Sequence, residues 1–157
     1  MLSHLSKLSY ATDGRYATDA ELKFLADYGR TYQQRMQTYQ QLQLLEAKIV
    51  QTVYDKLMQI DPALLQSGGM DITKKWKQDT VRVLRYSAIA MLLNDPLTLR
   101  ERLLFWFQTV MKAFGAQESC QMTYTVMQTV VKQYLGAEQA ALFCPILEIN
   151  RQILGNS

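Results

Sequence analysis

The sequence is poor in cysteine and histidine, the residues that most often build metal, haem and nucleophilic sites. Its 157 residues include two cysteines, Cys120 and Cys144, and one histidine, His4. The cysteines lie far apart in helix-like sequence, which is typical of reduced cytosolic thiols rather than of a metal-binding pair. Because His4 stands near the start of the chain, no central helix offers an imidazole as an axial haem ligand.

Signals of catalysis are missing as well. No histidine lies near either cysteine in the predicted helices, and the sequence has no glycine-rich phosphate loop. No close pair of carboxylates gives a reason for a shifted pKa. The sequence therefore predicts a protein that is not an enzyme.

Long apolar runs and a strong charge excess are also absent. The net charge of +3 is too small to predict binding to nucleic acid. No run of about 18 apolar residues occurs, so no membrane span is predicted, and the first residues lack the apolar core of a signal peptide. With 48% hydrophobic and 20% charged residues, the chain is expected to fold as one domain around a buried core.

Glycine and proline are scarce, at 7 and 3 residues, and they separate segments with helical periodicity. Thr18 and Glu21 have the spacing of a capping box, which predicts the start of a helix. The apolar residues that follow recur every three or four positions, as on a buried helix face; they are Leu22, Leu25, Tyr28, Tyr32, Met36 and Tyr39. The pattern continues to about Ile60, and its length predicts a bend or a break between Gln40 and Glu46.

The remaining segments favour helices over strands. Asp61-Pro62 and Asp95-Pro96 each place a capping acceptor before a proline, which suits the first position of a helix. The stretch QSGGM predicts a flexible turn, and no strand alternation is sustained. An all-α fold of seven or eight helices is therefore predicted. The further helices are expected at about Leu2–Tyr10, Ile72–Leu93, Pro96–Phe114, Gln117–Leu135 and Ala137–Leu154.

Four stretches resemble one known family in the same order. GRYATDAEL (14–22) resembles its aromatic turn and capped helix start, and EAKIVQTVYDKLMQIDPALLQSGG (46–69) resembles a helix that ends in a proline turn and paired glycines. DTVRVLRYSAIAMLLND (79–95) resembles the helix with the family's aspartate and arginine, and LRERLLFWFQTVMKAFG (99–115) the next helix. The family is the phycobiliproteins, the globin-like light-harvesting subunits of cyanobacterial phycobilisomes. The resemblance implies one globin-like domain over 1–157, with N-terminal docking helices over about 1–33 and a globin-like body over about 34–157.

The chain departs from the family at the residue that binds the pigment. In phycobiliproteins a cysteine three residues before the aspartate forms a thioether to a linear tetrapyrrole, and the matching residue here is Trp76. Because an indole has no nucleophilic sulfur, no thioether can form at this position. We interpret the chain as a phycobiliprotein relative without a covalent chromophore. Trp76 then plugs the vacant pocket, provides a stacking platform for a planar ligand, or is an exposed anchor at an interface.

The residues around Trp76 define a candidate pocket for a non-covalent tetrapyrrole. The resemblance implies that Asp79 accepts hydrogen bonds from pyrrole nitrogens, and nearby lysines can hold propionates as point charges. The structural alternatives are a local pair of Asp79 with Arg82, a helix cap, and a solvated turn of lysines. The candidate ligand residues are Trp76, Asp79, Lys75, Lys74 and Arg82.

The resemblance also implies pairing with a second chain through the N-terminal helices. Arg85 matches an arginine that pairs with an acidic residue of the partner near the N-terminal turn, and Asp13 lies close to that acidic position. Leu2, Leu5, Leu8 and Tyr10 are expected to be buried against the partner. The candidate interface residues are Leu5, Tyr10, Asp13, Arg15, Tyr16 and Arg85.

Three functions remain open on these grounds. The first is a non-catalytic subunit that acts by protein–protein docking in or near the phycobilisome, in the cytoplasm or at the cytoplasmic face of the thylakoid. Its partner would be another phycobiliprotein-like chain, a photosynthetic protein or a second copy, and not nucleic acid. The second is a non-covalent carrier of a bilin, haem or chlorophyll-type tetrapyrrole. The third is an adaptor in phycobilisome remodelling.

Overall fold

Helices form nearly all of the regular structure, which a computed structural model describes for residues 1–156. The α-helices are α1 (Leu2–Ala11), α2 (Asp19–Ile60), α3 (Thr73–Leu92), α4 (Pro96–Leu99), α5 (Phe105–Ala113), α6 (Gln117–Tyr134) and α7 (Ala137–Leu154). The all-α prediction is confirmed, and α7 has the predicted bounds. Within the described part of the chain, none of the helices combines the length and apolar character needed to cross a membrane.

The capping box at the start of α2 forms as the sequence predicts. The Thr18 hydroxyl accepts a hydrogen bond from the Glu21 amide, and the Glu21 carboxylate accepts one from the Thr18 amide at 2.8 Å. These two bonds satisfy backbone donors that have no partner within the helix. Of the predicted bend or break between Gln40 and Glu46, the break is wrong, because α2 continues through this stretch without interruption.

The first half of α2 is not buried within the chain, which corrects the predicted buried face. Leu22 is 38% exposed, Leu25 37% and Tyr32 49%. The first buried residue of the helix is Arg35, whose guanidinium donates to the Met91 carbonyl of α3. From there the apolar face packs on the other helices of the chain. The proposed division near residue 33 therefore falls inside one continuous helix and stays a prediction.

The stretch predicted as a flexible turn is instead a short β-hairpin. Strand β1 (Gln66–Ser67) pairs with the antiparallel strand β2 (Met70–Asp71). Gly68 and Gly69 join the strands with φ of +57° and +81°. Two positive φ values in a two-residue turn are typical of hairpins, and glycine reaches them without a clash of a side chain with its own backbone.

The predicted helix over 96–114 is divided by a π-helical segment. This segment, Arg100–Leu104, joins α4 to α5, and a 3-10 turn at Pro62–Leu65 follows α2. Asp95 caps α4 through a bond from the Thr98 amide. The buried core lies between α2, α3, the π-helical segment, α6 and α7, where its largest fully buried side chains include Leu57, Met91, Leu103, Met127, Phe143 and Leu147.

A buried carboxylate holds helix α1 against the rest of the chain. Asp95 is 2% exposed, and it accepts hydrogen bonds from the Ser3 amide at 2.9 Å and the Ser3 hydroxyl at 2.8 Å. The amino group of Met1 lies 3.4 Å from the same carboxylate and donates to the Asn94 carbonyl. The N-terminal helix therefore has a defined position at the turn between α3 and α4.

Candidate functional site

Trp76 lies in the first turn of α3 with its indole turned into the protein. The side chain is 7% exposed, and its Nε1 donates a hydrogen bond to the Thr123 hydroxyl of α6 at 3.0 Å. Its ring centre lies 6.3 Å from that of Tyr54 on α2. Trp76 therefore connects three helices, and the interpretation as an exposed anchor is wrong.

A cleft of about 330 Å³ opens beside this indole. Its walls come from α3, α5 and α6, and the β-hairpin and the 3-10 turn form its rim. The apolar wall is formed by Trp76, Phe107, Val110, Met111, Phe114 and Tyr124. The volume lies near the lower end of the range of about 300–1,000 Å³ that is usual for small-molecule pockets.

Three of the five candidate ligand residues line this cleft. They are Trp76, Lys75 and Asp79. The Lys75 ammonium binds both carboxylate oxygens of Asp79, at 2.7 and 2.6 Å. Asp79 thus forms a local pair with the lysine one turn before it, and the predicted alternative of a pair with Arg82 is wrong.

The other two candidates, Lys74 and Arg82, are not among the residues that line the cleft. The Arg82 guanidinium lies 5.5 Å from the centre of the Trp106 ring, on an exposed part of α3 and α5. Lys74 is exposed. Lys77, a further lysine of this run, lies 4.5 Å from the centre of the Tyr54 ring and donates to Gln51. Most of the basic residues around Trp76 therefore point away from the cleft.

Sequence reasoning missed the contribution of α6 to the cleft. Cys120, Thr123 and Tyr124 all line it, and their spacing of three and four residues places them on one helix face. That spacing was the available signal, but neither cysteine aligned with an attachment position of the family. Burial raises the pKa of the Cys120 thiol to about 12, with a contribution from the Asp79 carboxylate. The thiol is therefore held in its unreactive, protonated form.

The candidate interface residues occupy α1 and the turn before α2. Leu5 is 39% exposed, Tyr10 82% and Tyr16 97%, and Asp13 is exposed. Arg15 binds the Glu21 carboxylate at 2.7 and 3.0 Å and the Ala11 carbonyl at 2.8 Å, which closes the turn.

Arg85, the remaining interface candidate, is already paired within the chain. Its guanidinium makes two hydrogen bonds of 2.7 Å to the Glu46 carboxylate of α2. The side chain is still 68% exposed. A pair with an acidic residue of a partner would have to compete with Glu46 or share the guanidinium with it.

The fold and the site together define a class of all-α, globin-like proteins, here with a cleft between α3, α5 and α6. The chain matches the family model of the phycobilisome protein family over residues 8–154. It therefore belongs to the phycobilisome protein family, whose members are light-harvesting structural proteins that assemble with one another. A comparison with curated proteins found no match.

Proposed function

We propose that this protein is a non-catalytic phycobilisome-family subunit that acts by docking to another phycobiliprotein-like chain. The observation that carries the proposal is an exposed apolar surface on α1 and the first half of α2. We call it the N-terminal surface and define it by Leu2, Leu5, Leu22, Leu25 and Tyr32, which are 37–51% exposed. Several large apolar side chains exposed on neighbouring helices are typical of an interaction site.

The fixed position of α1 supports the docking role. Because Asp95 binds Ser3 and the Met1 amino group, contacts within the chain hold α1 in place. A surface that is already ordered loses less conformational entropy on association. A docking function is consistent with this arrangement.

We further propose that the subunit carries no pigment at position 76. The buried indole occupies space beside the cleft, and its only polar atom is bonded to Thr123. Trp76 therefore needs no ligand to satisfy its hydrogen-bonding group, because that group already has a partner within the chain. On this proposal the protein works in the cytoplasm or at the cytoplasmic face of the thylakoid. The partner is a phycobiliprotein-like chain, with a second copy or another photosynthetic protein as the alternatives.

The test is the mass of the protein in solution, alone and after mixing with purified allophycocyanin subunits, measured by gel filtration with light scattering. We expect a complex, and we expect Leu5→Asp and Leu25→Asp each to weaken it at least about tenfold, because each places a charge in an apolar contact. Leu44→Asp is the matched control, since Leu44 is 78% exposed on α2 outside the N-terminal surface. A strict monomer under both conditions would overturn the proposal, and so would equal effects of all three substitutions.

A non-covalent ligand in the cleft is the second candidate function. The cavity of about 330 Å³ with aromatic walls is the observation that favours it. A tetrapyrrole is the ligand that the family resemblance implies. The role in phycobilisome remodelling stays a prediction.

A further inference from the structure

The charges in the cleft are of the wrong sign for an anionic ligand. Three carboxylates line it, those of Asp61, Asp79 and Glu118, against the single ammonium of Lys75. Three negative charges and one positive charge leave a formal charge of −2. Lys75 is already bonded to both oxygens of Asp79, so this cation is not free to hold an incoming carboxylate.

The basic residues nearby do not correct this balance. Lys77 donates to Gln51 and lies over Tyr54, and Arg82 lies over Trp106. Neither of them lines the cleft, and the same is true of Lys74. A ligand with two carboxylates would therefore enter a site that offers repulsion and no unpaired cation.

The walls, in contrast, suit a flat and conjugated molecule. Trp76, Phe107, Phe114 and Tyr124 supply aromatic rings, which pack on planar ligands and attract cations over their faces. Leu64, Ile72 and Met111 are among the residues that add aliphatic and thioether surface to the wall, as in small-molecule sites where polar groups set the orientation.

One polar group in the wall is available to such a ligand. The Tyr124 side chain is 2% exposed, yet its hydroxyl takes part in none of the hydrogen bonds found among residues 1–156. Because Tyr124 lines the cleft, we take its hydroxyl to be open to this space. A phenol can donate to a ligand oxygen or accept from a ligand N–H.

We propose that the cleft binds a flat conjugated ligand that is neutral or cationic, oriented by the Tyr124 hydroxyl, and that it discriminates against tetrapyrroles with free propionates. This inference goes beyond the docking role and does not depend on it. The cavity volume accommodates a compact ligand or one end of a longer one.

Biliverdin and its dimethyl ester are suitable probes, because they share a conjugated skeleton but carry two negative charges and none. Binding is measured on the isolated chain by quenching of Trp76 fluorescence in a Trp106→Phe background, which leaves one of the two tryptophans. We expect the ester to bind at least about tenfold more tightly than the acid, a difference of about 1.4 kcal/mol. Raising the salt concentration should reduce this difference in affinity, because salt screens the repulsion between the carboxylates of the cleft and those of the acid.

Two substitutions test whether the charges of the cleft and the Tyr124 hydroxyl, rather than hydrophobicity alone, determine which probe binds. Glu118→Gln should reduce the difference in affinity between the two probes several-fold. Glu101→Gln should leave this difference unchanged, because Glu101 is exposed and does not line the cleft. Tyr124→Phe should weaken ester binding several-fold and leave the melting temperature nearly unchanged, because its hydroxyl has no hydrogen-bond partner among residues 1–156. Absence of ester binding, equal affinities for the two probes, or a difference in affinity that Glu118→Gln does not alter would each overturn the proposal.

Discussion

The indole Nε1 of Trp76 and the hydroxyl of Thr123 are joined by a buried hydrogen bond of 3.0 Å that links α3 to α6. The resemblance to phycobiliproteins matches Trp76 with the cysteine that carries the pigment in that family. Here the side chain at this position contributes packing and a satisfied polar contact instead. The energetic role of this residue is therefore expected to be structural, and its loss should be felt in the stability of the chain.

Substitutions of Trp76 should separate its volume from its hydrogen bond. Trp76→Ala removes a large buried side chain and is expected to lower the free energy of unfolding by about 3–5 kcal/mol. Trp76→Phe keeps much of the volume but leaves the Thr123 hydroxyl without its partner, so a smaller loss of about 1–2 kcal/mol is expected. Urea denaturation measures both values.

Trp106 provides the matched control for these substitutions. Its side chain is 55% exposed, so Trp106→Ala should change the free energy of unfolding by no more than about 1 kcal/mol. An effect of Trp76→Ala as small as that of the control would show that the indole does not fill space that the fold needs.

Asp95 should make the position of α1 depend on pH. Burial alone would raise the pKa of this carboxyl, but the hydrogen bonds from the Ser3 amide and hydroxyl, together with one from the Thr98 amide, hold it well below its usual range. A carboxylate with a depressed pKa in the folded state contributes stability above its unfolded pKa of about 3.9, and this contribution is lost as the pH falls below that value. We therefore expect the free energy of unfolding to decline as the pH falls from about 5 to about 3.

Asp95→Asn tests the origin of this decline. The amide can still accept from Ser3 but carries no charge, so the substitution should cost about 1–3 kcal/mol at neutral pH and should reduce the pH-dependent part of the loss. Asp13→Asn is the control, because Asp13 is an exposed carboxylate in the turn after α1. The same pH dependence in wild type and Asp95→Asn would contradict the assignment.

The caps before α2 should control the order of its exposed half. Thr18→Ala removes an N-cap acceptor and is expected to cost about 1 kcal/mol. Because the residues of α2 before Arg35 have little burial within the chain, this cost should appear as faster amide hydrogen exchange over residues 19–25 rather than throughout the protein. Thr125→Ala, at an exposed threonine within α6, should not change exchange in that segment.

The helices could be predicted from the sequence because their periodicity and caps are local. Ala137–Leu154 was predicted to the residue, and the Thr18–Glu21 cap was predicted with both of its hydrogen bonds. The prediction of a bend or a break between Gln40 and Glu46 came from the length of the helix alone, but α2 packs on both α3 and α6 and stays continuous. The sequence does not show that the apolar face of the first half of α2 is exposed. An apolar stripe has the same spacing whether it packs on its own chain or on another chain.

The cleft was predicted in part, for a related reason. Trp76, Asp79 and Lys75 share one helix, and a motif in one segment was enough to place them together. Cys120 and Tyr124 reach the cleft from α6, more than 40 positions later in the sequence, and only the packing of α6 against α3 brings them there. The direction of the Lys74 and Arg82 side chains likewise depends on which face of α3 packs on the core, and the sequence motif does not predict this.

The two cysteines should differ in reactivity, and neither should acquire a pigment spontaneously. Cys120 is 8% exposed with a pKa of about 12, so at neutral pH fewer than about one molecule in 10,000 carries the thiolate that attacks electrophiles. Cys144 is partly exposed, and burial raises its pKa as well. We expect iodoacetamide to alkylate Cys144 first and Cys120 only on unfolding, as read by mass spectrometry of the two peptides. After incubation with a linear tetrapyrrole, no visible absorbance should stay with the denatured chain. Absorbance that persists in denaturant and disappears in Cys120→Ser would instead show a covalent pigment in the cleft.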